Sequence, residues 1–317
     1  MRFTTEELLG LAARAAPLHE RIAWKVSPGT VSQLQTSATE RLGRWKSIIT
    51  GDHSDSDGFA ARLAVDGLTE RSSLSVLGSV PSPSDQLLPD WAETLNSVLD
   101  RVILHPFLEE DRAFAQADPL PFQELLVPFL DHARACLERQ LRAPCRERLT
   151  DGAWSGFERH LLEVLSLESA IALSRHFRMF FAIRDPLAVL PQASADHTEP
   201  PSRGVYEEFL LEMVNGGLGV FLHEFPVLAR ALVQRVEQWL AFVCEFCERL
   251  LSDWPLLTHN FNTGEDPGLV TTVRPGLSDR HNSGRSVIIL RFTGGMELIY
   301  KPRDIATEAT FFALLEW

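Results

Sequence analysis

The feature that most constrains the fold of this chain is a change of sequence pattern after Trp254. Up to that residue, apolar side chains recur mainly at helical spacing, as they do between Leu240 and Leu250. Beyond it, Ser286–Phe292 is rich in β-branched residues, Gly294-Gly295 is a turn signal, and Met296–Lys301 resembles a second strand. The sequence therefore predicts a predominantly helical α+β protein, in which a helical region is followed by a β-hairpin unit.

This change of pattern also suggests how the chain is organised. We expect residues 1–255 to form a mainly helical region and residues 256–317 to form the unit with the hairpin. Pro302 stops the second strand, and a further helix is expected to begin near Thr307. The sequence contains no internal repeat.

Composition limits the classes of partner. The chain has 43 acidic and 30 basic side chains, a formal net charge of -13, and no run of lysine or arginine. Such a surface repels nucleic acids and anionic lipids. The chain lacks the roughly 18 consecutive apolar residues of a membrane span, and its first residues lack the apolar core of a signal peptide. We therefore expect a cytoplasmic protein with no nucleic-acid partner and no membrane span.

The four cysteines, Cys136, Cys145, Cys244 and Cys247, are expected to be free thiols, because few cysteines in a long chain without a signal peptide indicate a reducing compartment. Cys244 and Cys247 form a C-x-x-C pattern that is typical of redox or zinc sites. However, they lie within a predicted helix, and no second ligand pair follows at metal-binding spacing. We interpret them as half-buried helix residues and predict no metal site.

Two other patterns resemble ligand-binding motifs without meeting their requirements. The acidic segment Gly51–Gly58 lacks the glutamate that a calcium-binding EF-hand loop needs at its twelfth position, so we predict a solvated loop. Gly216–Gly219 has the form G-G-x-G, but no strand precedes it, so we predict a helix C-cap and a turn rather than a nucleotide loop.

The residues with the clearest chemical potential surround the hairpin. Asp279 and His281 are two residues apart, so in an extended loop they can face one pocket and act as a carboxylate-oriented acid or base. Gly284 offers backbone N–H groups, and Lys301 ends the second strand with a compact positive charge that can reach a phosphate. This order of elements is the one in which kinase-like folds cover the phosphates of ATP. The alternatives are a solvated lysine and a hydrogen bond that only stabilises the loop.

The run Asp279-x-His281-Asn282-x-Gly284-Arg285-Ser286-Val287, then a strand, a glycine turn and Tyr300-Lys301-Pro302-Arg303, resembles the core signature of the dehydratase domain of class II lanthipeptide synthetases. Less specific segments of the same family match upstream and in the same order. These segments are Phe59-x-x-Arg62-Leu63, Pro121-Phe122, Tyr206-x-x-Phe209, Phe225-Pro226 and Arg249-Leu250-Leu251-Ser252-Asp253.

The resemblance implies a lipid-kinase-like enzyme that uses ATP and Mg²⁺ to phosphorylate Ser and Thr of a ribosomally made precursor peptide and then eliminates the phosphate. At the matching positions, Lys301 would hold phosphate in the kinase step, and Asp279 and His281 would act in elimination. Zinc is implied only for the family's separate cyclase domain. The other motif residues expected to contact ATP phosphates, or to support those that do, are Asn282, Arg285 and Arg303.

Two departures from the family bear on activity. Ser278 stands where the family usually has glycine, which would reshape the loop if that position needs a positive φ. The family's catalytic Asp, its Mg²⁺-binding Asn and Asp, and its cyclase domain would lie beyond Trp317. We therefore expect an N-terminal fragment of a synthetase that is inactive alone, with part of a kinase-like N-lobe.

A non-catalytic scaffold that binds a peptide through its helical region is the alternative hypothesis, and its acidic surface would suit a basic partner. The expected location is cytoplasmic, with an association with a membrane transporter complex left open. The sequence assigns no oligomeric state.

Overall fold

The structure is a computed structural model, and every statement about it concerns the residues that it describes. These residues are 2–23, 32–51, 56–78, 88–102, 119–184, 203–279, 281, 283–304 and 306–316, without the side chains of residues 32–37 and 56. Asn282, one of the expected site residues, lies outside these ranges. Within them the protein is mostly helical and has one small antiparallel sheet, which confirms the predicted α+β class.

The elements follow the chain in an order that places nearly all helices before the strands. The helices are α1 (Thr5–Ala15), α2 (Leu18–Ala23), α3 (Ser32–Thr50), α4 (Ser56–Val65), α5 (Glu70–Gly78), α6 (Asp90–Val102), α7 (Gln123–Gln140), α8 (Ala143–Arg146), α9 (Asp151–Arg184), α10 (Arg203–Glu212), α11 (Leu218–Glu224), α12 (Pro226–Phe261) and α13 (Ala306–Glu316). The strands are β1 (Val270–Arg274), β2 (Ile288–Phe292) and β3 (Glu297–Tyr300).

Contacts divide the chain into two compact units. One consists of Met1–Arg2, Thr94–Leu222 and Ala231–Trp317, and it contains the sheet. The other consists of Phe3–Glu93 and His223–Arg230. The expected division into residues 1–255 and 256–317 stays a prediction about the organisation of the family.

The second unit is held by an apolar cluster and by an ion pair. Phe59 and Leu63 of α4 are fully buried and pack against Trp45 of α3. Arg230 of α12 donates to the carboxylate of Glu20 in α2 at 2.8 Å, and this hydrogen bond lowers the pKa of Glu20. Burial of apolar surface supplies the main driving force for such a unit.

The glycine-rich segment between α10 and α11 interrupts the helix, as the prediction of a C-cap and turn requires. Gly216 has a φ of 119°, as a C-cap glycine requires. Asn215 and Gly216 have non-helical backbone angles, so the chain kinks at this glycine before α11 begins at Leu218. A Cβ at Gly217 would lie 2.8 Å from the carbonyl oxygen of Glu212, so the kink leaves no room for a larger residue there.

The sheet has the order β1-β2-β3, with every pair antiparallel. The predicted hairpin is confirmed, since Ile289 of β2 lies opposite Ile299 of β3. The first strand, β1, was not predicted. A β-bulge between Val270 and Thr272 interrupts its alternation of buried and exposed residues, which explains why its pattern is weak.

The sheet is attached to α9 through its first strand. A Cβ at Gly156 of α9 would lie 2.0 Å from the carbonyl oxygen of Val273, so helix and strand backbones meet at this glycine. The chain before α9 also pairs with β1: the Thr150 N–H donates to the Val270 carbonyl at 3.0 Å, and the Val270 N–H donates to the Arg148 carbonyl at 2.8 Å. These hydrogen bonds satisfy backbone groups that would otherwise be exposed at the edge of the sheet.

Among the described residues no single helix is long and apolar enough to cross a membrane. One bent pair, Arg203–Glu224 with Pro226–Phe261, satisfies the length and composition criteria only when both members are counted together.

Candidate functional site

The loop that enters β2 closes in a tight turn between His281 and Arg285. The His281 N–H donates to the Arg285 carbonyl at 2.9 Å, and the Arg285 N–H donates to the His281 carbonyl at 2.8 Å. Ser283 and Gly284 have φ values of 65° and 92°, in the left-handed region that glycine adopts most readily. A Cβ at Gly284 would also lie 3.2 Å from the Gln238 side chain of α12. The positive φ of the turn therefore favours glycine at this motif position, which also lies close to α12.

Ser278 does not strain this loop, although the family usually has glycine there. The positive φ upstream of the turn falls on Gly276, at 80°, and not on Ser278. The Ser278 hydroxyl accepts a hydrogen bond from the Val287 N–H and donates one to the Asp279 carbonyl, both at 3.1 Å. The Gly276 N–H donates to the hydroxyl of the buried Ser286 at 2.9 Å. Serine at position 278 thus stabilises the loop.

At the end of β3, consecutive side chains point to opposite faces of the sheet. The ring of Tyr300 packs edge-on against Phe246 of α12 at 5.4 Å between centroids, and its hydroxyl accepts a hydrogen bond from Arg249 at 3.2 Å. Burial raises the pKa of Tyr300. Ile299 and Lys301 are exposed, on the face away from α12.

Glu245 of α12 links the two ends of the motif. Its Oε1 forms an ion pair with Arg249 at 2.6 Å, and its Oε2 accepts from the Nε of Arg285 at 2.6 Å. Because Arg249 also donates to Tyr300, one turn of α12 contacts both the loop before β2 and the end of β3. This network connects α12 with the residues that flank the hairpin, which lie far from it in sequence.

An open cleft of about 450 Å³ lies at this end of the sheet. It presents three guanidinium groups and two carboxylates, whereas the chain as a whole has a net charge of -13. The cleft is lined by Glu245, Arg249, Arg285, Pro302, Arg303 and Asp304.

The structure brings some of the predicted site residues together and leaves others apart. Arg285 and Arg303 line the same cleft. Asp279, His281 and Lys301 are exposed and do not line it, and no ion pair of the Lys301 ammonium is found within the described part of the chain. Their catalytic roles, and the role of Asn282 outside the described residues, stay predictions.

Two residues of the cleft, Glu245 and Arg249, were not identified as site residues from the sequence. Their spacing of four on a predicted helix indicates that they share one helix face. That spacing gives no information about which segment the face contacts. Only the tertiary structure places this face against the motif.

The cysteines form no metal centre in the part of the chain that the structure covers. All four are free thiols, and Cys244 and Cys247 lie in α12, as predicted. Cys145 and Cys247 are buried, and a hydrogen bond between their thiols, together with burial, raises the pKa of Cys247. No three His, Cys, Asp or Glu side chains of the described residues are grouped so that they could hold a metal ion.

A comparison with known protein families finds a match that covers this cleft. Residues 225–317 match the family described as a domain of unknown function, DUF4135. This domain is found in class II, or LanM-type, lanthipeptide synthetases. The matched range includes every residue that lines the cleft. No curated protein matches the chain.

Proposed function

We propose that residues 225–317 contribute the phosphate-binding part of a lanthipeptide dehydratase, an enzyme that phosphorylates Ser and Thr of a precursor peptide with ATP and then eliminates the phosphate. One observation carries this proposal: the segment that matches a domain found in lanthipeptide synthetases is also the segment that forms a cleft lined by three arginines. Neither feature alone would support so specific a reaction.

The chemistry of the cleft suits phosphate. Guanidinium groups donate paired hydrogen bonds to phosphate oxygens, and a lysine ammonium adds a compact charge. Arg285 and Arg303 lie in the two halves of the motif, and Lys301 lies beside Arg303 at the end of β3. The cleft arginines would hold the phosphates of ATP, which supplies the phosphoryl group when bound. Lys301 is exposed outside the cleft, and its assignment to the phosphates rests on its match to the motif. The described residues provide no ligand set for Mg²⁺, so none is assigned.

For the elimination step, we propose His281 as the base and Asp279 as the group that orients it. The imidazole would accept the Cα proton of a phosphorylated Ser or Thr. The electron pair of the Cα–H bond then forms the Cα–Cβ double bond, and the Cβ–O bond breaks as phosphate leaves with its pair. The exposure of both side chains at the loop surface is compatible with access for a peptide.

The test uses the complete protein encoded by the gene, ATP with Mg²⁺, and a Ser/Thr-containing precursor peptide of a lanthipeptide. Mass spectrometry should show gain of phosphate and then net loss of water. Lys301→Ala should abolish phosphorylation, whereas His281→Ala should allow phosphorylated peptide to accumulate. Arg291→Gln is the control, because Arg291 is an exposed arginine of β2 that pairs with Glu297 and does not line the cleft.

Peptide binding without any phosphate transfer, unaffected by Lys301→Ala and His281→Ala, would contradict the enzymatic proposal. That outcome would instead support the peptide-binding scaffold.

A further inference from the structure

The cleft contains an arginine outside both motif segments whose hydrogen-bonding capacity is only partly used. Arg249 pairs with Glu245 through Nη2 and donates to Tyr300 through Nη1. A guanidinium has five N–H donors, so the contacts with the described residues leave others available. The Arg249 side chain is 48% exposed and that of Arg303, across the same cleft, is 56% exposed, so solvent and small anions can reach both.

Glu245 supplies the anionic partner of this cluster in the structure. Its side chain is only 19% exposed, and each of its two oxygens contacts a different arginine, Arg249 or Arg285. Two oxygens of a phosphate can accept from two guanidinium groups in the same way. A phosphate that enters the cleft would therefore share these donors with the Glu245 carboxylate.

Of the two other carboxylates near the cleft, one accepts a backbone hydrogen bond and the other pairs with a single cleft arginine. Asp304 accepts a hydrogen bond from the Ala306 N–H at 2.8 Å, at the start of α13. Glu308 of α13 pairs with Arg303. Glu245 is thus the carboxylate that contacts two of the cleft arginines.

We propose that the cleft is a subsite for a phosphate group, in which Arg249 and Arg303 contact the phosphate directly and Glu245 is an internal counter-ion that competes with it. This inference rests on the proposed function and adds to it a phosphate-binding residue, Arg249, that belongs to α12. The phosphate comes either from a nucleotide or from a phosphorylated side chain of a peptide, because both present the same oxyanion.

The proposed subsite predicts that substitutions of Arg249 and of Glu245 change the phosphate affinity in opposite directions. Arg249→Gln removes a charge-assisted donor, so phosphate affinity should fall about tenfold. Glu245→Gln removes the competing negative charge with little change of shape, so phosphate affinity should rise by about threefold or more. A purely structural role would give losses of affinity in both variants.

The experiment is calorimetric titration of the complete protein with two probes, ATP with Mg²⁺ and a phosphoserine-containing peptide. Arg291→Gln is the matched control, since it removes the same charge from an exposed arginine of β2 that does not line the cleft, and its phosphate affinity should change by less than about twofold. Arg249→Lys, which keeps the charge but not the paired donors, should retain part of the affinity. Thermal unfolding followed by circular dichroism verifies that each variant folds.

The two probes also separate this inference from the proposed function. ATP binding that is lost in Lys301→Ala but is equal in Arg249→Gln and Arg291→Gln would overturn the subsite and leave the proposed function standing. Binding of the phosphopeptide that depends on Arg249, without any binding of ATP, would support the subsite and contradict the ATP-dependent reaction. Lower affinity in both Arg249→Gln and Glu245→Gln, or binding of neither probe, would overturn the subsite.

Discussion

The two outer strands of the sheet differ in how the rest of the protein supports them. Val270 and Val273 of β1 are 0% and 2% exposed, and residues 148–150 and Gly156 hold the strand against α9. In β3, Ile299 is 63% exposed, and Tyr300 contacts α12 through its ring and its hydroxyl. One edge is packed backbone to backbone, while the other is attached through a side chain. The residues that we assign to phosphate binding lie beside the second edge.

This difference suggests that the two edges of the sheet have different roles. A tightly packed edge fixes the position of the sheet, and a partly open edge lets side chains reach a ligand and adjust to it. The following predictions test the two edges separately, from the largest expected effect to the smallest.

Gly156→Ala should cause the largest loss of stability, about 3 kcal/mol, because the new methyl group would overlap the carbonyl of Val273. Urea unfolding measures this change. Gly43→Ala is the control: Gly43 is also a helical glycine, in α3, but nothing lies within 4 Å of its added Cβ. That variant should be neutral or more stable, by up to about 1 kcal/mol. Equal effects of the two substitutions would show that α9 and β1 are not packed as described.

Tyr300→Phe should destabilise the protein by about 1 kcal/mol, because it removes the hydrogen bond with Arg249 but keeps the ring against Phe246. A double-mutant cycle with Arg249→Gln should then show that the two effects are not additive. Strict additivity would mean that the contact between β3 and α12 does not involve this hydrogen bond.

Asp266→Asn, just before β1, should have a smaller effect on stability, and this effect should depend on pH. The Gly268 N–H and Arg148 hold the pKa of Asp266 below its ordinary value. Because the folded-state pKa is the lower one, this stabilisation is present above the unfolded pKa of about 3.9 and is lost as the pH falls through the folded pKa. Asp266→Asn should therefore lower the melting temperature near neutral pH and have almost no effect in strong acid. A difference that grows with acidification would contradict this sign.

Ile299→Thr should have the smallest effect, within about 0.5 kcal/mol of zero, because the side chain is mostly exposed and threonine also favours strands. The corresponding change at a buried position, Ile288→Thr in β2, should be clearly destabilising. Denaturant unfolding of both variants compares the two faces. Similar losses would indicate that Ile299 is covered by another surface in solution.

The parts of the fold that local patterns determine could be predicted from the sequence. The hairpin was predicted because β-branched runs flank Gly294-Gly295, and its two strands pair as expected. The strand β1 could not be predicted, because its bulge breaks the alternation and its stability comes from α9, far away in sequence.

In the candidate site too, residues in local motifs could be predicted, but tertiary contacts could not. Arg285 and Arg303 could be selected from the motif, since their positions match a known signature. Glu245 and Arg249 could not, because their spacing shows only that they share a helix face, and the partners of that face are set by packing. Ser278 also needed the structure, which shows that its hydroxyl bonds within the loop and that the positive φ falls on Gly276.

Amide hydrogen exchange with and without ATP and Mg²⁺ tests the central claim most directly, because it reports on both edges of the sheet in one measurement. We predict slower exchange on nucleotide addition in the 281–285 turn and around residues 300–304, with no change in β1 or in residues 148–150. Unchanged exchange throughout, or protection confined to β1 and residues 148–150, would contradict the assignment of phosphate binding to the end of the sheet beside β3.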